Sequence, residues 1–528
     1  MQPDYVPGSI NPSDGTPLDP TESTPLSEIE AHVARARQAQ KAWSELPLET
    51  RARHLTDLAK FILEHHQDAA KIMSMETGRS ELECTMSELV SLPAAVQTHI
   101  KVARDTLRPK KMPISKIEYP GKSATVELLP RGVVAIIAPW NYPLGNFWKH
   151  LFPALLAGNT VVIKPSEYTP RTGAWLWDAC QKVLPKDVVT LVQGSGEVGA
   201  KLVESGIDAL TFTGSVATGR KVSARAGELL IPISAELGGK DAAIVLSDCD
   251  LQRTALGIAQ WSVHNCGHNC AAIERVFVED SIADEFVALL GAIFSNLRVN
   301  GPNQTFSELG PIQNPAQFDI VDAHVKDASQ KGATIVCEGG PTGDGYGWKP
   351  TLIDRCTPDM LVAKEETFGP VLAIIRVKNE DEAVKLANDS PYGLNGSVWT
   401  RDIKKGKALA KRLHVGVALV NNHAITGTMT HLPWTGVKET GTGVASSQWA
   451  YHVFTRPRTL FIDKSSAPDP WWIPADEQLQ ELADALIERG KGSFMATLKL
   501  AGIVSKRVKN INALAKRGTE SRASESKP

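Results

Sequence analysis

The chain has 528 residues, of which 42% are hydrophobic and 22% are charged, and its formal net charge is −2. A chain of this length is expected to form two or three domains, because a single domain usually has roughly 100–200 residues. The composition excludes disordered and collagen-like proteins, and the small net charge provides no general attraction to nucleic acid or to an anionic membrane.

The N-terminal segment and the cysteines indicate the cellular compartment in which the protein is expected. Residues 1–26 are rich in Pro, Ser, Asp and Thr, and they lack the basic and apolar regions of a secretory signal. The seven cysteines are scattered and odd in number, which favours a reducing compartment over a disulfide framework. No stretch reaches the roughly 18 consecutive apolar residues of a membrane-spanning helix. We therefore expect a cytoplasmic protein.

The chain begins with helices and continues with alternating strands and helices. Apolar residues recur at helical spacing from residue 27 to about residue 104, as at Ile29, Val33 and Ala36. Apolar runs followed by helix-like segments predict strands at 124–129, 132–138, 160–163, 188–192, 209–212 and 242–246. A second set follows after about residue 274, at 276–278, 335–337, 371–377, 396–400 and 417–421. The alternation predicts two α/β domains whose parallel sheets are covered by helices.

The end of the chain differs from the rest. A Pro-rich segment, residues 468–474, separates the body from a helical tail with an apolar face and many basic residues. The predicted apolar face consists of Phe494, Leu498, Ala501, Val508, Ile511 and Ala515. Two interpretations remain open. The tail docks on its own domain or on a neighbouring subunit, which the stiff prolines favour, or it makes a peripheral contact with an anionic membrane.

A glycine-rich segment at residues 194–199 matches the pattern Gly-x-Gly-x-x-Gly of dinucleotide-binding turns. In that motif an acidic residue normally follows about 20 positions later, at the end of the next strand. Here that strand ends in Phe-Thr-Gly-Ser at residues 212–215 and carries no carboxylate. We interpret the segment as a tight turn beside a cofactor rather than as the standard fingerprint.

Five short motifs carry most of the functional information. They are Pro-Trp-Asn-Tyr-Pro at 139–143, Lys-Pro-Ser-Glu at 164–167, Ala-Glu-Leu-Gly-Gly-Lys at 235–240, Asn-Cys-Gly-His-Asn-Cys-Ala-Ala-Ile-Glu-Arg at 265–275 and Glu-Glu-Thr-Phe-Gly-Pro at 365–370. In this order and spacing they resemble the aldehyde dehydrogenase superfamily. The resemblance extends from about residue 27 to residue 463, and the tail lies outside it.

The resemblance implies a three-part α/β fold. Residues 1–112 and 131–238 are expected to form an NAD-binding domain, and residues 239–440 a catalytic domain. Residues 113–130 and 441–463 are expected to form a small β oligomerisation arm, followed by a C-terminal helical tail at 464–528. Because a two-stranded flap cannot bury its own face, a homodimer or homotetramer is expected.

The resemblance also implies the catalytic residues, and the chemistry is consistent with them. Oxidising an aldehyde by hydride transfer requires a tetrahedral alkoxide, which a cysteine thiolate forms by adding to the carbonyl. Cys270 matches the family's nucleophile. The Asn141 amide and the Cys270 backbone N–H match the oxyanion donors, and Glu236 matches the base that activates water for thioester hydrolysis. Cys266 lies four residues before Cys270 but has no second ligand pair, so no metal site is predicted.

The implied cofactor is NAD, with NADP less favoured. A carboxylate at Glu167 can accept both hydroxyls of the adenosine ribose and repel a 2′-phosphate. Gly214 and Ser215, at the start of a predicted helix, offer backbone N–H groups and the positive end of the helix dipole to the pyrophosphate. The other residues implied to bind the cofactor are Trp140, Lys164, Gly196, Glu366 and Phe368.

The residues implied to line the aldehyde entrance are Tyr142, Asn146, Lys149, His264 and Trp434. This wall is less aromatic than in members that take small aliphatic aldehydes, so a polar or bulky substrate is expected. Two histidines depart from the family, because His268 replaces a common Gln and His150 a common Lys. Each either tunes the thiolate or relays protons from Glu236, or else it fills space as a neutral side chain.

The sequence therefore predicts an NAD-dependent aldehyde dehydrogenase acting on a small-molecule aldehyde, without a nucleic-acid partner. Three alternatives remain open: a coenzyme A-acylating enzyme, a reductase of acyl phosphates, and a catalytically inactive structural relative. The second has no use for Glu236, and the third would have lost the nucleophile or the base, which are both present.

Overall fold

The computed structural model describes residues 10–116, 119–299, 306–343 and 345–525, with side chains described as far as residue 516. The chain divides into two compact units. Unit 1 comprises Met1–Arg108 and Leu128–Pro457, and unit 2 comprises Pro109–Glu127 and Arg458–Pro528. The division into cofactor, catalytic and arm domains stays a prediction.

The α-helices are α1 (Ile29–Glu45), α2 (Leu48–Glu64), α3 (His66–Thr77), α4 (Glu81–Cys84), α5 (Leu92–Leu107), α6 (Gly145–Leu156), α7 (Pro170–Val183), α8 (Gly196–Glu204), α9 (Val216–Glu228), α10 (Leu251–Val263), α11 (Asp280–Ser295), α12 (Pro315–Gln330), α13 (Leu361–Lys364), α14 (Glu380–Asn388), α15 (Ile403–Ala410), α16 (Tyr451–Phe454), α17 (Glu477–Gly490) and α18 (Phe494–Glu525). The β-strands are β1 (Lys110–Met112), β2 (Lys122–Pro130), β3 (Val133–Ile137), β4 (Thr160–Lys164), β5 (Val189–Leu191), β6 (Ala209–Thr213), β7 (Ile233–Glu236), β8 (Asp241–Val245), β9 (Ile273–Glu279), β10 (Thr334–Cys337), β11 (Gly340–Pro341), β12 (Trp348–Lys349), β13 (Thr351–Asp354), β14 (Val371–Val377), β15 (Asn395–Trp399), β16 (Val417–Val420), β17 (Trp434–Thr435), β18 (Val444–Ala445) and β19 (Thr455–Asp463).

A five-stranded parallel sheet forms the first half of unit 1, in the order β5-β4-β3-β6-β7. The central strand β3 is an almost continuous apolar run with Val133 to Ile136 buried, as expected for a strand covered on both faces. The chain builds outward from β3 on one side and then returns to add β6 and β7 on the other. This reversal opens a crevice at the carboxyl ends of β3 and β6, where open α/β sheets bind ligands.

A seven-stranded sheet forms the second half of unit 1, in the order β10-β13-β14-β9-β8-β15-β16. Its strands are parallel except for β10, which pairs antiparallel with β13. The α/β fold class predicted from the sequence is confirmed. The strand predicted at 242–246 corresponds to β8, Asp241–Val245, and it belongs to this sheet rather than to the first one, because β8 pairs with β9 and β15.

Unit 2 contains most of a three-stranded sheet, in the order β1-β2-β19, and the helices α17 and α18. The two helices pack against each other. Arg507 of α18 is fully buried, and it donates to Pro470 O at 3.0 Å and to Asp476 Oδ1 at 2.7 Å. These bonds tie the helix to the Pro-rich segment that precedes α17.

The first residues of the apolar face predicted for the tail are exposed in the single chain, so the partner of that face stays a prediction. Phe494 is 73% exposed and Leu498 is 59% exposed, whereas Ala496, Leu500 and Ile511 are buried. The hydrogen bonds of Arg507 place this charged side chain on the buried face of α18. The positions of the apolar residues alone do not reveal this orientation. Within the described residues, no helix is long and apolar enough to cross a membrane.

We predict that Arg507→Met loosens α17 and α18. The variant loses hydrogen bonds from a charged donor, each worth about 1.5–3 kcal/mol. Amide hydrogen exchange in the two helices should therefore become about tenfold faster or more. Lys506→Met is the matched control, because Lys506 is exposed. Its ion pair with Glu481 is long, at 3.9 Å, and contributes little. Equal exchange rates in the two variants would contradict the anchoring role of Arg507.

Candidate active site

A cavity of about 770 Å³ lies at the crevice of the five-stranded sheet. It brings together many of the residues singled out in the sequence: Trp140, Asn141, Asn146, Lys164, Glu167, Gly196, Gly214, Ser215, Cys270, Glu366 and Phe368. Glu236 and most residues expected at the aldehyde entrance, namely Tyr142, Lys149, His264 and Trp434, are not part of its lining. Lys221 and Gln317 also line the cavity and were missed by the sequence analysis, since no motif marks them.

The loop that carries Cys270 connects α10 to β9 and has an unusual backbone. Asn265, Cys266 and Gly267 have consecutive positive φ angles of 55°, 54° and 72°. Only glycine adopts this region without strain, so the loop must be held by its surroundings. A Cβ atom on Gly267 would lie 2.1 Å from the carbonyl oxygen of Gly369. The loop can therefore approach the 365–370 motif this closely only because residue 267 is glycine.

Hydrogen bonds between asparagines hold this loop against the motif at 139–143. The Asn265 side chain donates to Asn141 O at 2.7 Å and to His268 O at 3.1 Å. The Asn141 Nδ2 also donates to His268 O, at 3.0 Å. Asn146 Nδ2 donates to Asn141 Oδ1 at 3.0 Å and so fixes the orientation of that amide. The candidate oxyanion donor is therefore preorganised beside the Cys270 loop.

The two neighbouring cysteines have different environments. Cys270 is partly exposed and lines the cavity, whereas Cys266 is buried. Burial raises the pKa of the Cys270 thiol to about 12, and the positive charge of Lys149 opposes this rise. Burial also raises the pKa of Cys266 well above its usual value. Both thiols are therefore protonated at neutral pH, but only Cys270 is open to a ligand in the cavity.

Glu236 and His150 form a buried pair. Glu236 ends β7, a strand that the sequence analysis did not predict because Ile-Ser-Ala-Glu is short and half polar. His150 lies on α6, and its Nε2 atom is 3.2 Å from Glu236 Oε1. His150 Nε2 therefore lies within contact distance of the candidate base, but Glu236 Oε1 accepts no hydrogen bond within the described residues. Both interpretations of His150, proton relay and space filling, stay predictions.

His268 has a different environment from His150. Its ring lies 4.9 Å from the Trp140 ring and 5.8 Å from the Phe368 ring, measured between centroids. Burial lowers the pKa of His268 to about 3, so the imidazole is neutral at pH 7. This arrangement favours the space-filling interpretation of His268, which packs between two residues expected to contact the cofactor.

A buried ion pair fixes the segment 365–370. Glu274 of β9 pairs with the Lys240 ammonium, and its carboxylate accepts from the backbone N–H groups of Thr367 and Phe368, both at 2.8 Å. Lys240 also donates to Thr367 Oγ1 at 3.0 Å. The sequence analysis quoted both residues within motifs but assigned them no role. The available signal was a charged pair at the starts of two apolar strands, since buried charges require partners.

Glu366 and Phe368 are presented to the cavity from this fixed segment. Glu366 Oε1 accepts from Gly239 N at 3.0 Å. Burial, together with the charge of Glu274, raises the pKa of Glu366 to about 8. Phe368 has a φ angle of 48°, a strained value for an aromatic residue, and the bond from its N–H to Glu274 holds it there.

The opposite part of the cavity can hold a nucleotide. Glu167 follows β4, and its carboxylate accepts from Ser166 Oγ at 3.4 Å. Burial lowers the pKa of Lys164, and the charge of Glu167 opposes this effect. Ser215 caps α9 by accepting from Thr218 N at 3.3 Å, so the N-terminus of a 13-residue helix points into the cavity lining. A carboxylate for the ribose and a helix N-terminus for phosphates fit the predicted dinucleotide.

The residues expected to line the aldehyde entrance form two contacts. The rings of Tyr142 and His264 are stacked, with their centroids 6.1 Å apart. Lys149 Nζ lies 4.9 Å from the centroid of the Trp434 ring. Trp434 belongs to an apolar cluster against which Cys270 packs. The structure thus brings the Lys149 and Trp434 pair to the nucleophile, although neither lines the large cavity.

Known proteins resemble this chain over most of its length. The sequence profile of the Aldehyde dehydrogenase family matches residues 6–460. The 4,4′-diapolycopene aldehyde oxidase of Methylomonas sp is 34% identical over 468 residues, which cover 88% of this chain and 88% of that protein. A Mycobacterium bovis protein provisionally named succinate-semialdehyde dehydrogenase (NADP+) 2 is 33% identical and covers 87% of this chain and 89% of its own length.

A solved structure has the same fold. The crystal structure of Mycobacterium tuberculosis aldehyde dehydrogenase complexed with NAD+ aligns with a TM-score of 0.81 and 32% sequence identity. The alignment covers 87% of this chain and 95% of that chain. The family match ends at residue 460, before the C-terminal tail.

We predict that Glu274→Gln destabilises unit 1 by about 3–5 kcal/mol, because it leaves the buried Lys240 ammonium without a charged partner. Lys240→Met alone should also be destabilising. The double variant should lose less free energy of unfolding than the sum of the two single losses, since the charges are removed together. Urea unfolding of the four proteins measures this coupling. Additive losses would mean that the pair is not the constraint described here.

Proposed function

The chain belongs to the aldehyde dehydrogenase family, and on that basis we propose that it oxidises an aldehyde to the carboxylic acid with NAD, through a thioester on Cys270. One observation carries the proposal. Cys270 and Asn141 line the same cavity as Glu167, Glu366 and Phe368. A nucleophile, an oxyanion donor and a cofactor site within one cavity are what aldehyde oxidation requires.

The proposed reaction uses each of these groups in turn. Cys270 first gives its thiol proton to Glu236, from which His150 carries it away, and the resulting thiolate adds to the aldehyde carbon. The Asn141 amide and the Cys270 N–H stabilise the oxyanion. NAD supplies the hydride acceptor, and loss of hydride from that carbon leaves a thioester on Cys270. Glu236 then takes a proton from water, whose oxygen adds to the thioester carbon. The carboxylic acid leaves and the Cys270 thiolate is regenerated, while His150 carries the proton away from Glu236.

We propose NAD rather than NADP as the preferred cofactor, although the family uses both. The support is the carboxylate of Glu167, which lines the cavity directly after β4. A carboxylate at this point binds a ribose diol and repels a 2′-phosphate.

We also propose that the protein assembles as a homodimer or tetramer through the three-stranded sheet. The strand β19 lies at an edge of this sheet, and its residues Leu460, Phe461 and Ile462 are exposed. An exposed apolar edge strand readily pairs with another chain. We propose that the tail docks on the body or on a second subunit rather than on a membrane, because Pro468, Pro470 and Pro474 stiffen the segment before it. All seven cysteines are unpaired, which supports a cytoplasmic location.

The direct test of this function is NADH formation from a panel of aldehydes, with NAD and NADP in parallel. Reduction of NAD and release of the free acid are expected. The same assay with coenzyme A added separates hydrolysis from acyl transfer, because a coenzyme A-acylating enzyme would release acyl-CoA.

Cys270→Ala should reduce dehydrogenase activity to below about a thousandth of the wild-type value, because the nucleophile is lost. NAD binding should change only a few-fold, since the thiol acts on the aldehyde. Cys266→Ala is the matched control and should retain activity, because Cys266 is buried away from the cavity. Similar losses in both variants, measured by NADH formation, would contradict a single nucleophile.

Glu236→Gln should slow thioester hydrolysis about 100-fold or more, the usual contribution of a general base. Acylation should be affected less. Stopped-flow mixing with aldehyde and NAD should therefore give a burst of NADH followed by a slow steady state. Wild-type turnover in this variant would mean that another group activates the water.

Glu167→Ser should shift the ratio of kcat/KM for NAD over NADP by about tenfold or more toward NADP, since it removes like-charge repulsion of the 2′-phosphate. Steady-state kinetics with both cofactors measure this ratio. Glu197→Ser, on an exposed residue at the start of α8, is a control for general effects of charge removal. A wild-type enzyme that already prefers NADP would refute the role given to Glu167.

A further inference from the structure

A second cavity, of about 560 Å³, lies against the seven-stranded sheet of unit 1. Arg275 and Phe277 of β9 and Ile375 of β14 contribute to its lining. No described residue lines both this cavity and the one that contains Cys270. Its volume falls within the range of roughly 300–1,000 Å³ that is usual for small-molecule sites. The cavity is therefore large enough to hold a ligand separately from the active site.

The lining contains a buried guanidinium, that of Arg275, which is only 4% exposed. Its Nε and Nη2 atoms donate to Lys240 O at 3.1 and 2.7 Å, and Nη2 also donates to Ala387 O at 3.3 Å. Among the described residues, no carboxylate forms an ion pair with Arg275, and Nη1 has no hydrogen-bond acceptor. Burial lowers the pKa of Arg275 to about 10, although the charges of Asp241 and Glu274 oppose this fall. A buried charge requires a partner, and the protein supplies only carbonyl groups here.

Lys438 lines the same cavity and also lacks a charged partner. Its ammonium donates to Asn388 O and Ser390 O, both at 2.8 Å, which uses two of its three donors. In the part of the chain that the structure describes, no carboxylate pairs with it. Burial lowers the pKa of Lys438, and the positive charge of Arg275 lowers it further. Two unpaired cations that repel each other thus share one cavity, and an anion bound between them would stabilise both.

The remaining charges of the lining indicate the valence of the anion. Lys364 adds a third cation, and Glu365 and Asp389 add two carboxylates, all three on exposed residues. The charge of Asp389 acts on both Arg275 and Lys438, but it forms an ion pair with neither. Three positive and two negative charges leave one positive charge in excess. A monovalent anion balances this excess, whereas a phosphate dianion exceeds it.

The rest of the lining is mainly apolar. The guanidinium of Arg275 lies over the ring of Phe277, 5.5 Å from the ring centroid. The apolar residues of the lining are Phe277, Pro358, Ala363, Ile375, Leu386 and Pro391. A pocket with apolar walls and a few polar groups orients a ligand by its polar end and binds it by its apolar body. The ligand should therefore combine a charged group with a hydrocarbon body.

We propose that this cavity binds a monocarboxylate with an apolar body, whose carboxylate accepts hydrogen bonds from Arg275 Nη1 and from the Lys438 ammonium. Bonds of this kind, between a cation and a carboxylate, are among the strongest hydrogen bonds in proteins. The site is separate from the active site, so it goes beyond the proposed function. Arg275 also donates to the Lys240 carbonyl, so one side chain links the ligand to the ion pair that fixes the segment 365–370.

Isothermal titration calorimetry of the full chain with octanoate tests the site. Octanoate should bind, and acetate, octan-1-ol and inorganic phosphate should each bind at least about tenfold more weakly, because each lacks the apolar body or the single negative charge. Lys438→Met should weaken octanoate binding about 10- to 100-fold, as expected for the loss of a charged hydrogen bond. Arg275→Lys should weaken it to a similar extent, because Nη1 is lost. Asp389→Asn should instead tighten binding about two- to fivefold, since it removes a carboxylate from the lining.

Two control variants separate this site from others. Lys411→Met removes an exposed lysine at the end of α15, outside the lining, and should leave the Kd of octanoate unchanged. Asn141→Ala alters the active-site cavity and should also leave it unchanged. Lys438 is exposed, so its substitution tests the site even if Arg275→Lys does not fold.

The inference requires that Lys438→Met weakens octanoate binding and that Asn141→Ala does not. Absence of octanoate binding to the wild-type protein, an unchanged Kd in Lys438→Met, or a weaker Kd in Asn141→Ala would each overturn it. The last result would place the acid in the active site. The titration needs neither aldehyde nor NAD, so its failure is distinguishable from a failure of the proposed dehydrogenase activity.

Discussion

The buried carboxylate of Glu274 is the point on which the active-site geometry depends. Placing this charge inside unit 1 is costly unless it is fully paired, and its partners are Lys240 and two backbone N–H groups of the segment 365–370. Lys240 precedes β8, and Glu274 lies in β9 only four residues after Cys270. The bonds of Glu274 therefore fix three segments relative to one another. They are the 235–240 motif that contains Glu236, the start of β9 after Cys270, and the segment that carries Glu366 and Phe368.

The strained backbone before Cys270 is supported from the other side. The bonds of Asn265 and Asn141 to the carbonyl of His268 offset the cost of the positive φ angles, and they set the amide of Asn141 beside the nucleophile. A strained backbone persists only where its surroundings hold it. Here the same hydrogen bonds that hold the loop also keep the Asn141 donor in position before any oxyanion forms. Cofactor-facing parts of the site are thus built largely from backbone and short motifs. The aldehyde-facing part is built from separate side chains such as Lys149 and Trp434.

This difference explains how much could be predicted from the sequence. Strand β14 was predicted with its observed bounds, and β3 nearly so, because buried parallel strands are continuous apolar runs. The cofactor-facing residues lie in contiguous motifs, so they could be named in advance. The sheet to which β8 belongs, the contact of His150 with Glu236 and the buried face of α18 depend on residues distant in sequence, and no local pattern encodes them. Lys240 and Glu274 are visible in the sequence as charges at the starts of two apolar strands, but the bonds from Thr367 and Phe368 to Glu274 are not.

The central claim is that the acyl group is carried by Cys270, and mass spectrometry tests it most directly. Glu236→Gln is mixed with aldehyde and NAD, quenched in acid and digested with trypsin, which releases the peptide from Thr254 to Arg275 containing both Cys266 and Cys270. This peptide should gain the mass of the acyl group in place of one hydrogen, and fragment ions should assign the gain to Cys270. An unmodified peptide during NADH formation, or a gain assigned to Cys266, would contradict the account.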